Sequence, residues 1–105
     1  IDRASGRIHH VAGTGKKGNS GDGGPATEAT FNGPKGLVMD EQGRLLVVDT
    51  ENHLIRRIDI KANTVETVLG KGELKLKRPH GIANAKGFGY LVGDSENHRV
   101  IQGTP

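Results

Sequence analysis

A chain of 105 residues has room for one small domain, and its 17 glycines, roughly twice the ~7% of an ordinary protein, stand where side chains would otherwise supply apolar area. The absence of cysteine excludes disulfides, thiolate metal sites and cysteine nucleophiles, and no apolar run approaches the ~18 residues of a membrane-spanning helix. A formal charge of +3 suits solubility and is too small to argue by itself for nucleic acid.

Apolar residues come in short runs rich in β-branched types, and nowhere keep a helical period over the ~10 residues that a helix requires. Strands are therefore predicted in chain order. The first spans 7–12 and is followed by a glycine-rich stretch. Strands at 35–40 and 44–49 flank Asp40-Glu41-Gln42-Gly43, which suits a type I turn closed by glycine. The next pair, 54–60 and 64–69, flanks Asn63, a residue type that takes left-handed backbone cheaply, as does Gly6 at the equivalent position. Strands at 80–84, 89–94 and 98–102 complete the set.

The chain repeats itself. Pro34 to Arg57 lies over Pro79 to Gln102 without a gap, with identities at Pro34/Pro79, Gly36/Gly81, Leu46/Leu91, Val47/Val92, Asp49/Asp94, Glu51/Glu96, Asn52/Asn97 and His53/His98. Ile1 to Gly15 lies over Ile58 to Gly72 in the same way, and the two units, 1–57 and 58–105, differ in length only between Gly15 and Pro34. Units of four short antiparallel strands repeating every ~40–45 residues have the period of propeller blades.

Several motif matches fail on context. Gly13-Thr14-Gly15-Lys16-Lys17-Gly18 fits the dinucleotide string, but no helix follows to offer its N-terminus to phosphate. The stretch Gly18-Asn19-Ser20-Gly21-Asp22-Gly23-Gly24-Pro25 lacks the alternating acidic ladder and terminal Glu of a calcium loop. His9 and His10 are strand neighbours that point to opposite faces and cannot easily share a ligand.

The string VAGTGKKGNSGDGGPATEATFNGPKGLVMDEQGRLLVVDTENHLIRRIDIKANTVETVLG, Val11 to Gly70, resembles NHL-repeat β-propellers, whose repeat runs Pro-x-Gly-(Leu/Ile), an Asp-x-x-Gly turn, an apolar strand ending in Asp, then x-x-Asn-His and a basic strand. The name-giving residues fall on Asn52, His53 and Leu54, and in the second unit on Asn97, His98 and Arg99; Phe88, Gly89 and Tyr90 depart from the pattern, with Phe88 where Gly43 sits. The resemblance implies an all-β fold of four-stranded antiparallel blades, entered on an outer D strand and continuing A-B-C-D and A-B-C. It also implies a compact inter-blade loop at 18–25, with Ala26, Ala29 and Phe31 packing inward over a short helical turn.

Repetition decides how the polar residues are read. A catalytic residue occurs once per site, whereas Asp49, Asn52 and His53 recur as Asp94, Asn97 and His98, so these six are expected to form a structural network tying turns to strands. No residue is assigned to catalysis, to metal or to a cofactor. The resemblance implies that the D–A connections and B–C turns share a face, and there Lys16, Lys17, Lys71, Lys75, Lys77 and Arg78 form a candidate binding surface. Three aromatic residues and the acids Glu51 and Glu96 disfavour RNA there, which would want stacking platforms among the cations. The expected role is a non-enzymatic scaffold presenting loops to a protein or small ligand, without contact with a membrane. A permuted two-blade chain is further expected to be completed either by two more copies, giving six blades, or by the rest of a longer propeller. The alternative is a fragment of a lactonase-like or amidating-lyase-like enzyme, whose channel metal would need ligands from inner-strand positions such as Lys35, Met39, His80 and Asn84.

Overall fold

A computed structural model describes residues 8–104. Among them lie the strands β1 (Pro34–Met39), β2 (Leu45–Asp49), β3 (Leu54–Asp59), β4 (Thr64–Leu69), β5 (Ile82–Asn84), β6 (Tyr90–Asp94) and β7 (Arg99–Gly103), with single 3-10 turns at Ala26–Glu28, Thr50–Asn52 and Ser95–Asn97. β1 to β4 form one sheet and β5 to β7 a second; every neighbouring pair is antiparallel and in chain order. The protein is all-β, and its sheets are propeller blades running from an inner to an outer strand.

The two sheets share one register. Val38 pairs with Leu46 and Leu46 with Arg57, as Ala83 pairs with Leu91 and Leu91 with Gln102. The first A–B turn closes with Gly43 at φ 79 and its N–H on the Asp40 carbonyl. In the second, the Phe88 N–H makes the same bond to Ala85, while the left-handed backbone falls on Gly87 and Gly89 to either side of it. The hairpin is thus kept at a position where a bulky side chain could not take positive φ.

The strand expected over 7–12 is corrected over the described residues: 8–12 are irregular and 8–11 exposed, while residue 7 lies outside the described range. The segment repeats 64–69 in sequence, but a strand needs a partner edge for its backbone N–H and C=O groups, and residues 8–12 belong to neither sheet.

β2 is buried on both faces, which accounts for its uninterrupted run Leu45-Leu46-Val47-Val48. On one side Leu46, Val48 and Ile55 pack with Tyr90 and Val92 of the second sheet and with Leu76 of the connection leading to it, forming the core between blades. On the other, Val47, Ile58 and Val65 are covered by Ala26 and Ala29, with Phe31 beside them. The long 13–33 connection therefore supplies the second core. It is held along the outer edge of β4, where the Gly23 N–H donates to the Val65 carbonyl at 2.7 Å and the Val65 N–H to the Gly24 carbonyl at 3.2 Å. Asn63, left-handed at φ 55, accepts the N–H groups of Ala26 and Thr27 on its two oxygens.

Candidate binding surface

Asp49 and Asp94 end β2 and β6 and are fully buried. Asp49 Oδ1 accepts the Asn32 backbone N–H at 2.7 Å, and its Oδ2 accepts the Asn52 side-chain amide at 2.9 Å. Asp94 accepts the Lys77 N–H at 2.7 Å and the Asn97 amide at 2.9 Å. Return bonds run from the N–H groups of Glu51 and Glu96 to the carbonyls of Asn32 and Lys77, 3.0 Å each. Each aspartate thus pins the end of a D–A connection to the B–C turn of the blade that follows. His53 and His98 stand at the left-handed positions closing those turns, at φ 60 and 55, and donate their N–H groups back to Thr50 and Ser95.

Burial pushes the Asp94 carboxyl up. Hydrogen bonds from the Lys77 N–H, Asn97 and Arg99 outweigh that effect and leave it below the ordinary carboxylate range. Asp22 is likewise pushed up by desolvation and brought below its ordinary value by Lys71, Thr67 and Arg56.

The six cations do not make one patch of free charge. Arg78 lies between the blades, with Nη2 2.8 Å from Glu51 and Nη1 2.7 Å from Glu96. Its hydrogen bonds, ahead of any burial effect, hold both glutamates below their ordinary range and raise the guanidinium further. The Arg78 backbone N–H also donates to His53 Nδ1 at 2.9 Å. Lys71 Nζ sits 2.8 Å from Asp22, and Lys75 Nζ donates to the Lys71 carbonyl at 3.2 Å. Lys77 is exposed, its backbone N–H committed to Asp94. Lys16 and Lys17 line an open pocket together with Phe31 and Pro34, which none of the other four cations lines.

The inner-strand positions Lys35, Met39, His80 and Asn84 are exposed, and Asn84 donates its amide to the Met39 carbonyl at 3.4 Å. Among the described residues no group of three or more His, Asp or Glu side chains could hold a metal ion.

Arg56 escaped the sequence reading. Fully buried, it lies 4.5 Å over the Phe31 ring and donates to the Thr30 carbonyl at 2.6 Å, the Ser20 carbonyl at 3.0 Å and Asp22 at 3.0 Å, with Asp49 Oδ2 at 3.5 Å. It anchors the long connection. Its counterpart in the second unit is Ile101, so the repeat does not mark it; there Arg99, two residues earlier, reaches Asp94 at 2.8 Å and the Lys75 carbonyl at 2.8 Å. An arginine between Leu54 and Ile58 on one face of β3 was the available signal.

Tandem antiparallel sheets of four and three strands in one register, each with an aspartate locking its turns, define a repeat protein of the β-propeller class. Residues 5–99 match the teneurin NHL domain, and the chain belongs to that family. It is 38% identical to Teneurin-3 of Danio rerio over 87 residues, which cover 77% of this chain and 3% of that protein. It is 50% identical to NHL repeat-containing protein 2 of Homo sapiens over 46 residues, 44% of this chain and 6% of the relative. The chain thus spans only a small fraction of these relatives. A crystal structure of a structural-genomics protein of unknown function from Bacteroides thetaiotaomicron has the same fold, with a TM-score of 0.77 at 23% identity over 88% of this chain and 26% of that one.

Proposed function

We propose that the chain is a non-enzymatic scaffold: two adjacent propeller blades that present a braced loop face to a protein or small ligand and take a further blade on the open side of the second sheet. One observation carries the reading. Leu46 and Ile55, 2% and 0% exposed beneath the second sheet, correspond to Leu91 and Val100, which are 41% and 71% exposed on the far face of that sheet. The same positions that form the inter-blade core in one blade lie bare in the next, as an apolar surface awaiting an identical partner. The repeated polar residues are consumed in bracing turns, which leaves the D–A and B–C loops rigid enough to present variable side chains.

Three copies of two blades give a six-bladed ring. Light scattering tests this, with three times the 11.1 kDa chain mass expected and a monodisperse monomer overturning self-association. Near-stoichiometric calcium or zinc in chelator-free protein would overturn the non-enzymatic reading in favour of a channel metal.

A further inference from the structure

His53 holds the loop face of the seam through an acceptor that a proton would remove. A backbone N–H can only donate, so the 2.9 Å contact from the Arg78 N–H to His53 Nδ1 requires a lone pair on that nitrogen. In this bond the ring is therefore neutral, with its proton on Nε2. His53 is exposed, so water can bring a second proton to it. What the bond holds is a residue under tension, because Arg78 stands at φ 43, backbone that a side chain adopts at a cost. The charged groups around the ring come from both blades. Glu51 belongs to the same turn, Lys35 of β1 lies within electrostatic reach of Glu51, and Arg78 carries Glu96 across the seam. Lys77, next to Arg78, acts on Glu96. Lys71, whose neighbour Gly70 presses against the His53 carbonyl, turns its ammonium to Asp22. Glu51, held below the ordinary carboxylate range first by Arg78, is also within reach of a charged His53 ring.

We propose that His53 is a proton-operated latch on the loop face. Neutral, it holds the connection between β4 and β5 against the B–C turn of the first blade. Charged, its Nδ1 becomes a donor, the Arg78 N–H loses its acceptor, and the ring turns to the Glu51 carboxylate instead. Arg78 is then free to leave its left-handed conformation, and the bridge from Glu51 to Glu96 loosens with it. Because the closed state needs the neutral ring, closure is favoured above the ordinary imidazole value near 6.5 and lost below it. The latch lies wholly between the two blades of this chain, and it operates whether or not the loop face binds a partner. The neighbouring bond is insensitive to the same protons. The Lys77 N–H donates to Asp94, whose carboxyl stays below the ordinary carboxylate range and is ionised throughout.

Nuclear magnetic resonance of the nitrogen-15-labelled chain tests this through two adjacent amides. The readout is protection from solvent exchange, taken relative to an unstructured amide at the same pH. Between about pH 7.5 and 5.5 protection of the Arg78 amide is expected to fall about tenfold, following the change from mostly neutral to mostly charged imidazole, while the Lys77 amide keeps its protection. The ring nitrogens of His53 report the proton directly, on Nε2 at the upper end of the range, and their titration should coincide with the loss at Arg78. His53→Asn supplies an acceptor that does not titrate and a residue type at ease in left-handed backbone, so its Arg78 protection should be the same at both ends of the range. Arg78 protection that stays constant in the parent chain, that falls away from the ring's own titration, or that falls equally in His53→Asn overturns the latch. So does a neutral ring carrying its proton on Nδ1, and so does a Lys77 amide that loosens in step with Arg78, which would mean general opening of the seam.

Discussion

Asp49 and Asp94 hold nearly the same bonds, but removing them should have different consequences because of what stands beside them. Asp49 shares its environment with the fully buried Arg56 guanidinium, whose other carboxylate is the part-exposed Asp22. Asp49→Ala therefore leaves a buried cation short of a partner as well as freeing the Asn32 N–H, and should cost about 3–5 kcal/mol in urea unfolding. In an Arg56→Met background the same substitution should cost much less, and equal costs in the two backgrounds would show the two groups to be uncoupled. Asp94 sits with the partly exposed Arg99 and carries the pH dependence. Its folded-state pKa lies below the unfolded value near 3.8, so its contribution to stability is complete above that value and is lost as pH falls through the folded one. Asp22, Glu51 and Glu96 are shifted in the same direction and add to the slope. The urea midpoint should fall steadily as pH is lowered from about 5 towards 2, and Asp94→Asn should flatten the decline while lowering stability at neutral pH.

At the scale of elements, the connection between residues 13 and 33 behaves as a structural element without regular structure. It covers Val47, Ile58 and Val65, closes the β4 edge and is gripped by Arg56. At Gly21, with φ 109, a Cβ would stand 2.6 Å from both Cα and Cβ of Ala29. Gly21→Val should lift the loop at a cost of about 1–3 kcal/mol, and the readout is faster hydrogen exchange at the Val65 amide, which donates to Gly24. Unchanged exchange there would mean that the loop closes the edge without Gly21. The same element shows where sequence reasoning stops. The hairpins were legible because period-two alternation and turn residues are local, and because the second unit repeats them. The loop's path over β4 and the grip of Arg56 were not, since both depend on a stretch with no counterpart in the second unit. Residues 8–12 fail for a third reason: likeness to β4 in sequence does not supply the partner edge that a strand needs.

The whole molecule turns on the seam between the blades, where two contacts beside the apolar core can be tested directly. At the inner strands, a Cβ on Gly36 would stand 2.6 Å from the His80 carbonyl oxygen, so β1 and the chain entering β5 touch backbone to backbone. Gly36→Ala should open this end and lower the melting temperature by several degrees, about 1–3 kcal/mol for an overpacked contact; full retention of stability would show the seam to be compliant. At the loop face the fastening is Arg78, which bridges Glu51 of one blade and Glu96 of the next from a left-handed backbone position, φ 43. Its counterpart in the first unit is Gly33, at φ 65, so the fold asks for glycine here and the second unit accepts a strained side chain that the first does not carry. Arg78→Gly removes the strain and the ion pairs together, and salt separates the two effects. Raising salt from about 0.1 M to 1 M shortens the Debye length from ~10 to ~3 Å and weakens the exposed pairs, while backbone strain is indifferent to it. The urea midpoint of the unmodified chain should therefore move towards that of Arg78→Gly, or below it, as salt rises, with the variant itself changing less. A constant gap between the two across that range would mean that the arginine joins the blades through its backbone N–H to His53 and owes nothing to the glutamates.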